Sequence, residues 1–212
     1  MLGANDGIVS TAGLVVGVAG ATTDRTTILA AGVAGLVAGA LSMAGGEYVS
    51  VSTQRDTERA ALDKERRELR EMPVEEEQEL AGIYEDKGLS PELAAEVASE
   101  LTRKDAFRAH AEAELQIDPD NLTSPWQAAW ASLVSFALGA LVPVVAITAP
   151  PTSWRVWTCM VAVLAGLMVT GVVSARLGGG EPRRAVVRNV LMGTLTMVIT
   201  YYTGVLFGVT VG

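Results

Sequence analysis

The chain has 212 residues, half of them apolar, with 24 acidic and 16 basic side chains, one His and one Cys. A single Cys excludes an intramolecular disulfide and a Cys-rich zinc site, and a single His excludes multi-His metal centres. A nucleophilic triad would have to use that one His, which lies in a charged run with no nucleophile motif beside it, so hydrolase chemistry falls away.

The length allows one or two domains. Charge divides the chain more sharply than the net of −8 suggests: residues 54–125 hold 20 of the acids and 10 of the bases, which leaves 4 acids and 6 bases for everything else. Apolar stretches too long for ordinary core helices flank an acid-rich, helix-forming insert.

In chain order, apolar runs cover residues 7–21 and 27–46, joined by a short polar turn, then about 126–148, 156–175 and 190–211. About 20 residues at about 1.5 Å each span a bilayer core, so the pattern predicts five transmembrane helices. The first run is short, and its span either begins at Met1 or lacks its start. A cleavable signal peptide would need a basic leading region, and the first base is Arg25. Gly13 and Gly17, and Gly35 and Gly39, are spaced for close helix packing. Trp126, Trp130, Trp154 and Trp157 fall near span ends, where indole rings anchor at the interface.

Orientation follows from the bases near span ends. The connection between the fourth and fifth runs carries Arg176, Arg183, Arg184 and Arg188, whereas the opposite connections carry only Arg25 and Arg155. This predicts a cytoplasmic insert and N-terminus, and a C-terminus outside or in a lumen.

From Ser50 to Glu71 there is no Gly or Pro, which predicts that the second span continues as one helix until Pro73 stops it. A second insert helix covers 74–86 and ends at Gly88. Ser90 and Pro91 form an N-cap and first-turn pair for a third, running toward Ile117 with a break near Lys104 and Asp105. Ser124 and Pro125 open the third span.

Glu65 and Glu68 lie on one helical face, and Glu76 and Glu79 repeat that spacing after the proline. His110 and Glu114 are four apart. A tight break at Met72 and Pro73 brings both Glu pairs within reach of one point, where oxygen ligands suit a divalent cation and one imidazole favours a transition metal. The same residues also read as an ordinary solvated acidic face, and a lone His on a charged helix is ordinarily a surface residue. In the membrane runs, Asp6 and Glu47 are acids at or near spans, where such residues line pathways, or else sit at the water interface. Met43 is a core residue, or a soft ligand where it faces the same path.

Residues Gly3 to Thr11 (GANDGIVST), residues Ser42 to Ser50 (SMAGGEYVS), the acidic insert and the five-span layout together resemble the vacuolar iron transporter (VIT) family. The resemblance covers nearly the whole chain. It implies a homodimer that moves ferrous iron out of the cytosol against inward-moving protons. It implies metal ligands at Glu65, Glu68, Glu76, Glu79 and Glu114, and a transport path through Asp6 and Met43.

Three departures accompany it. Gly35 stands where some members have an acid on the second span, with Glu47 the nearest replacement. His110 and Ala111 stand where members have sulfur ligands. The residues that members carry ahead of the first-span Asp are missing here.

The chain is therefore read as an all-α membrane protein with five transmembrane helices and a cytoplasmic three-helix metal-binding insert between helices 2 and 3. Its divisions are residues 1–53, 54–124 and 125–212. The expected activity is proton-coupled antiport of Fe2+, with Mn2+ next and Zn2+ and Co2+ as further substrates. Metal sites are expected at Glu65, Glu68, Glu76, Glu79, Glu114 and His110, and path residues at Asp6, Met43 and Glu47. No enzyme activity, organic cofactor or nucleic-acid partner is expected. The alternative is a membrane-anchored iron sensor or store without transport.

Overall fold

The structure is a computed structural model that describes residues 2–211, with side chains through residue 208. Among the described residues there are seven helices and no strand: α1 (Leu2–Ala21), α2 (Arg25–Glu71), α3 (Pro73–Asp86), α4 (Pro91–Ala113), α5 (Pro125–Thr148), α6 (Arg155–Leu177) and α7 (Pro182–Val211). Five of them, α1, α2, α5, α6 and α7, are long and apolar enough to cross a membrane. α1 begins at Leu2, and Met1 lies outside the described residues.

The chain forms two compact units, Met1–Tyr48 with Trp126–Gly212, and Val49–Pro125. α2 is 47 residues long and contributes its first half to one unit and its second half to the other.

In the first unit, α1 packs against α6 and α7, and α6 packs against α7. The buried core joins Ile8, Ala12, Val15 and Val16 of α1 to Ile28, Val144, Ile147, Met197 and the α6 residues Cys159, Val163 and Leu167. On α6 the buried positions 159, 163, 167, 171 and 175 recur every four residues, a single stripe as expected for a helix with one packed face. Lipid tails are as apolar as leucine, so contact distance matters more here than hydrophobic burial. Two crossings are glycine-dependent. A Cβ on Gly7 would run into the Phe136 carbonyl oxygen of α5, and one on Gly204 into the Gly17 carbonyl oxygen of α1. All four indole side chains expected at span ends are largely exposed.

α7 departs from the expectation. It starts at Pro182, eight residues ahead of the apolar run at 190, so Arg183, Arg184 and Arg188 stand on its first two turns and not in a loop. Proline suits the first helical position, and arginine is a good helix former, so polarity here marks the end of the apolar span and not the end of the helix.

In the second unit, α2 ends at Glu71 and Pro73 opens α3, with Glu75 and Glu76 in the first turn, where carboxylates complement the helix dipole. Gly88 takes a φ of +100°, a left-handed conformation open to glycine. The Ser90 hydroxyl accepts from the Leu93 N–H and caps α4. The expected break lies at Asp105, whose φ of −166° and ψ of 89° depart from helix. α4 ends at Ala113, four residues short of Ile117, and Gln116 has a φ of 56° in the turn that follows. α3 packs on α4, and Leu62, Leu80, Ala94, Ala98 and Ala111 are buried in this unit.

Candidate metal centre and membrane cavity

Three buried polar residues sit among those apolar ones: Glu65 on α2, Glu76 on α3 and His110 on the last turn of α4. The proline break explains the first two. It stops α2 two turns beyond Glu65 and restarts the chain as a helix whose fourth residue is Glu76. His110 and the α4 C-cap residue Glu114 are one helical turn apart and share a face.

The donor atoms converge. His110 Nδ1 lies 3.1 Å from Glu65 Oε1, 3.4 Å from Glu114 Oε2 and 3.7 Å from Glu76 Oε2. One ligand atom from each of Glu65, Glu76 and His110 falls within 4.8 Å of the others, so one ion can reach all three. His110 is completely buried, and Glu65 is only 2 % exposed. The surface position ordinary for a lone His does not hold, because α4 turns this residue onto α2 and α3.

The cluster is electrostatically unbalanced. His110 Nε2 is buried with no hydrogen-bond partner among the described residues, and Glu65 Oε1, also buried, faces His110 Nδ1 at 3.1 Å without a well-formed hydrogen bond, an arrangement that costs free energy unless something else satisfies them. Burial pushes the Glu65 carboxyl up to about 7, with the charges of Glu114 and Glu76 adding to the rise. Burial also raises Glu76, helped by Glu79 and opposed by His110. A dication among the converging atoms would offset the raised carboxyls and satisfy Glu65 Oε1, since it supplies positive charge and an electron-pair acceptor. Carboxylate oxygens with one imidazole nitrogen make a mixed donor set suited to first-row transition dications.

The six expected metal residues therefore divide by position. Glu65, Glu76 and His110 form the buried set, and Glu114 contacts His110 from a half-buried position. Glu68 is turned away to Lys64, whose Nζ donates to Glu68 Oε2 at 2.6 Å. Glu79 is exposed, near enough to raise Glu65 and Glu76 but outside the converging atoms. Phe107, three residues before His110, lies under the Arg66 guanidinium at 4.3 Å and offers no ligand.

In the first unit, a cavity of about 380 Å³ is lined by Asp6, Ser10, Gly35, Ser42 and Met43, with Phe136 closing one wall. Asp6 and Met43, far apart in sequence, thus face one space. Glu47 is exposed and does not line it. Gly35 does, and Gly39 beside it lets the Phe136 ring lie against α2, where a Cβ would collide with it. Ser10 and Ser42 escaped the sequence reading. Ser10 follows Asp6 by one turn and its hydroxyl donates to the Asp6 main-chain carbonyl oxygen at 2.6 Å. A carboxylate, a thioether and hydroxyls around one space can hold a partly dehydrated cation.

The sequence model of the VIT family matches residues 1–205. The chain is 39 % identical over 207 residues to "Vacuolar iron transporter" from Acanthamoeba castellanii, covering 97 % of this chain and 76 % of that protein. It is 38 % identical over 209 residues to "Vacuolar iron transporter homolog 1" of Oryza sativa subsp. japonica, covering 98 % of this chain and 72 % of the relative. To "VIT-like transporter 1b" of Glycine max it is 34 % identical over 203 residues, covering 95 % and 71 %.

Proposed function

Because the chain belongs to the VIT family, a family of membrane transporters and not of enzymes, we propose that it moves divalent metal ions across a membrane, with Fe2+ the main substrate and Mn2+ the next. The names of its relatives support metal-ion transport. The multi-pass membrane character follows from the family and from the five apolar helices. The proposal adds that transport runs out of the cytosol in exchange for protons, that the unit of residues 49–125 is cytoplasmic, and that two copies form the working assembly.

The observation that carries the reading is the buried, convergent donor set of Glu65, Glu76 and His110 in the hydrophilic unit. In this reading, the acid-rich unit raises the local cation concentration and holds the ion at that set, with Glu114 completing it and Glu68 and Glu79 drawing ions in as an outer ring. The cavity of Asp6 and Met43 is the path through the membrane unit. Release requires that neither site bind too tightly, as for any conducting pathway. Protonation of Asp6 from the far side would remove its charge and expel the ion.

The deep burial of the donor set also favours a second reading, an iron sensor or store that holds its ion without passing it on. Flux separates the two. Proteoliposomes containing the full chain should take up Fe2+ faster with an imposed proton gradient than without, and a Glu65→Ala, Glu76→Ala variant should slow that uptake at low external metal. Stoichiometric binding with no flux under any gradient would reject transport and leave the sensor or store.

A further inference from the structure

Away from the donor set and the Asp6 cavity, a concavity of about 620 Å³ lies against the start of α7, walled by Arg183, Arg184, Arg188, Val187, Leu191 and Met192, with Glu181 at its edge. The helical start at Pro182 gives these residues a register that a loop would not. Arg184 and Arg188 are one turn apart, and Leu191 and Met192 follow one turn further on, so one strip of helix passes from guanidinium to apolar side chains within about 12 Å. Val187, Leu191 and Met192 are at least half exposed.

Arg184 is paired with Glu181 at 2.7 Å, whereas Arg183 and Arg188 make no ion pair among the described residues. Arg176 adds a further positive charge at the end of α6. The first free N–H groups of α7 point the same way in electrostatic terms, toward an anion.

We propose that this strip is a binding site for an anionic membrane phospholipid, its headgroup phosphate held by Arg183 and Arg188 and its glycerol and upper acyl carbons lying along Val187, Leu191 and Met192. The order of chemistry along the strip argues for a lipid over a free anion. A phosphate in solution needs the arginines alone, but a lipid needs charge at the span end and apolar contact immediately below it, which is the sequence of side chains found. Guanidinium also matches phosphate geometry in a bidentate manner that a bare charge does not. Arginines that serve only to orient the chain act by charge count during insertion and need no apolar contact in register below them. The site is separate from the metal path and stands whether or not that path is correct.

Native mass spectrometry of the full detergent-solubilised chain, equilibrated with equal phosphatidylglycerol and phosphatidylcholine, tests this. Each basic side chain near an anionic surface is worth about fivefold in binding, so phosphatidylglycerol should be retained at least about tenfold over phosphatidylcholine. Arg183→Gln with Arg188→Gln should bring the ratio to within about twofold, while Arg183→Lys with Arg188→Lys should leave an intermediate ratio, because the charge stays and the bidentate fork is lost. Unchanged elution volume and an unchanged thermal midpoint in detergent would show that the glutamine variant is folded. No preference in the parent chain, or an undiminished preference in a folded glutamine variant, would overturn the proposal. Displacement of the lipid by inorganic phosphate or glycerol phosphate at similar concentration would also overturn it, in favour of a soluble-anion site.

Discussion

Glu65→Gln in the metal-free protein gives the most demanding test of the donor set. A carboxyl ordinarily near 4.5 is pushed to about 7 in the fold, first by burial and then by Glu114 and Glu76. Its folded value lies above its unfolded one, so the folded state binds more protons between these two pH values and stability falls as pH rises through that window. At about 1.4 kcal/mol per tenfold, the penalty above pH 7 is about 3 kcal/mol, and it is absent below about pH 4.5. A dication at a hundred times its dissociation constant contributes about 2.7 kcal/mol, enough to cancel most of it.

The assay is hydrogen exchange on the full chain in chelator, corrected for intrinsic rates, following peptides that contain Glu65, Glu76 and His110. The wild type should be less protected at pH 8 than at pH 5, and Mn2+ should restore protection. Glu65→Gln should be more protected than the wild type at pH 8 without metal, should respond little to pH, and should gain little from Mn2+. Equal protection of the wild type at both pH values, or a variant less protected than the wild type at pH 8, would refute the electrostatic account.

Other expectations are more local. Calorimetric titration with Mn2+ should show Glu65→Gln or His110→Ala losing at least about tenfold in affinity, since each removes a buried charge-assisted donor. Glu68→Gln should lose no more than about threefold, because Glu68 is already engaged by Lys64. Asp6→Asn should lower proteoliposome flux by more than about tenfold while binding by the hydrophilic unit is untouched, a separation that a shared site would not give. Gly204→Leu should push α7 off the Gly17 carbonyl at a cost of about 1–3 kcal/mol. It should lower the thermal midpoint of the detergent-solubilised protein, whereas Gly82→Ala, with open space around it, should not.

Much of the frame was legible because its signals are local. Pro73 announced the end of the long helix and the Ser90, Pro91 pair a helix start; the long helix ends at Glu71, Pro73 itself opens the next one, and Ser90 caps α4. The break at Asp105 and the unbroken run from the second span to Glu71 also followed from a few neighbouring residues. The start of α7 was missed by eight residues because polarity was taken as the limit of the helix, when it marked only the limit of the apolar run. For the donor set, spacing singled out the right carboxylates but not their ranking. Glu65 and Glu68 are equivalent by periodicity, and only packing against α3 and α4 buries one and leaves the other to Lys64.

The sequence by itself determined the helical composition, the number of apolar spans, the segregation of acid into one segment, and the family, since hydropathy, helix caps and motifs are all written within stretches of a turn or two. The tertiary structure decided which residues meet. His110 joins Glu65 across 45 positions, and Met43 joins Asp6 across 37. Such encounters depend on how closely helices approach and how they are rotated, which glycine contacts and a small buried core fix, and no periodicity within one helix encodes the face that its neighbour will present.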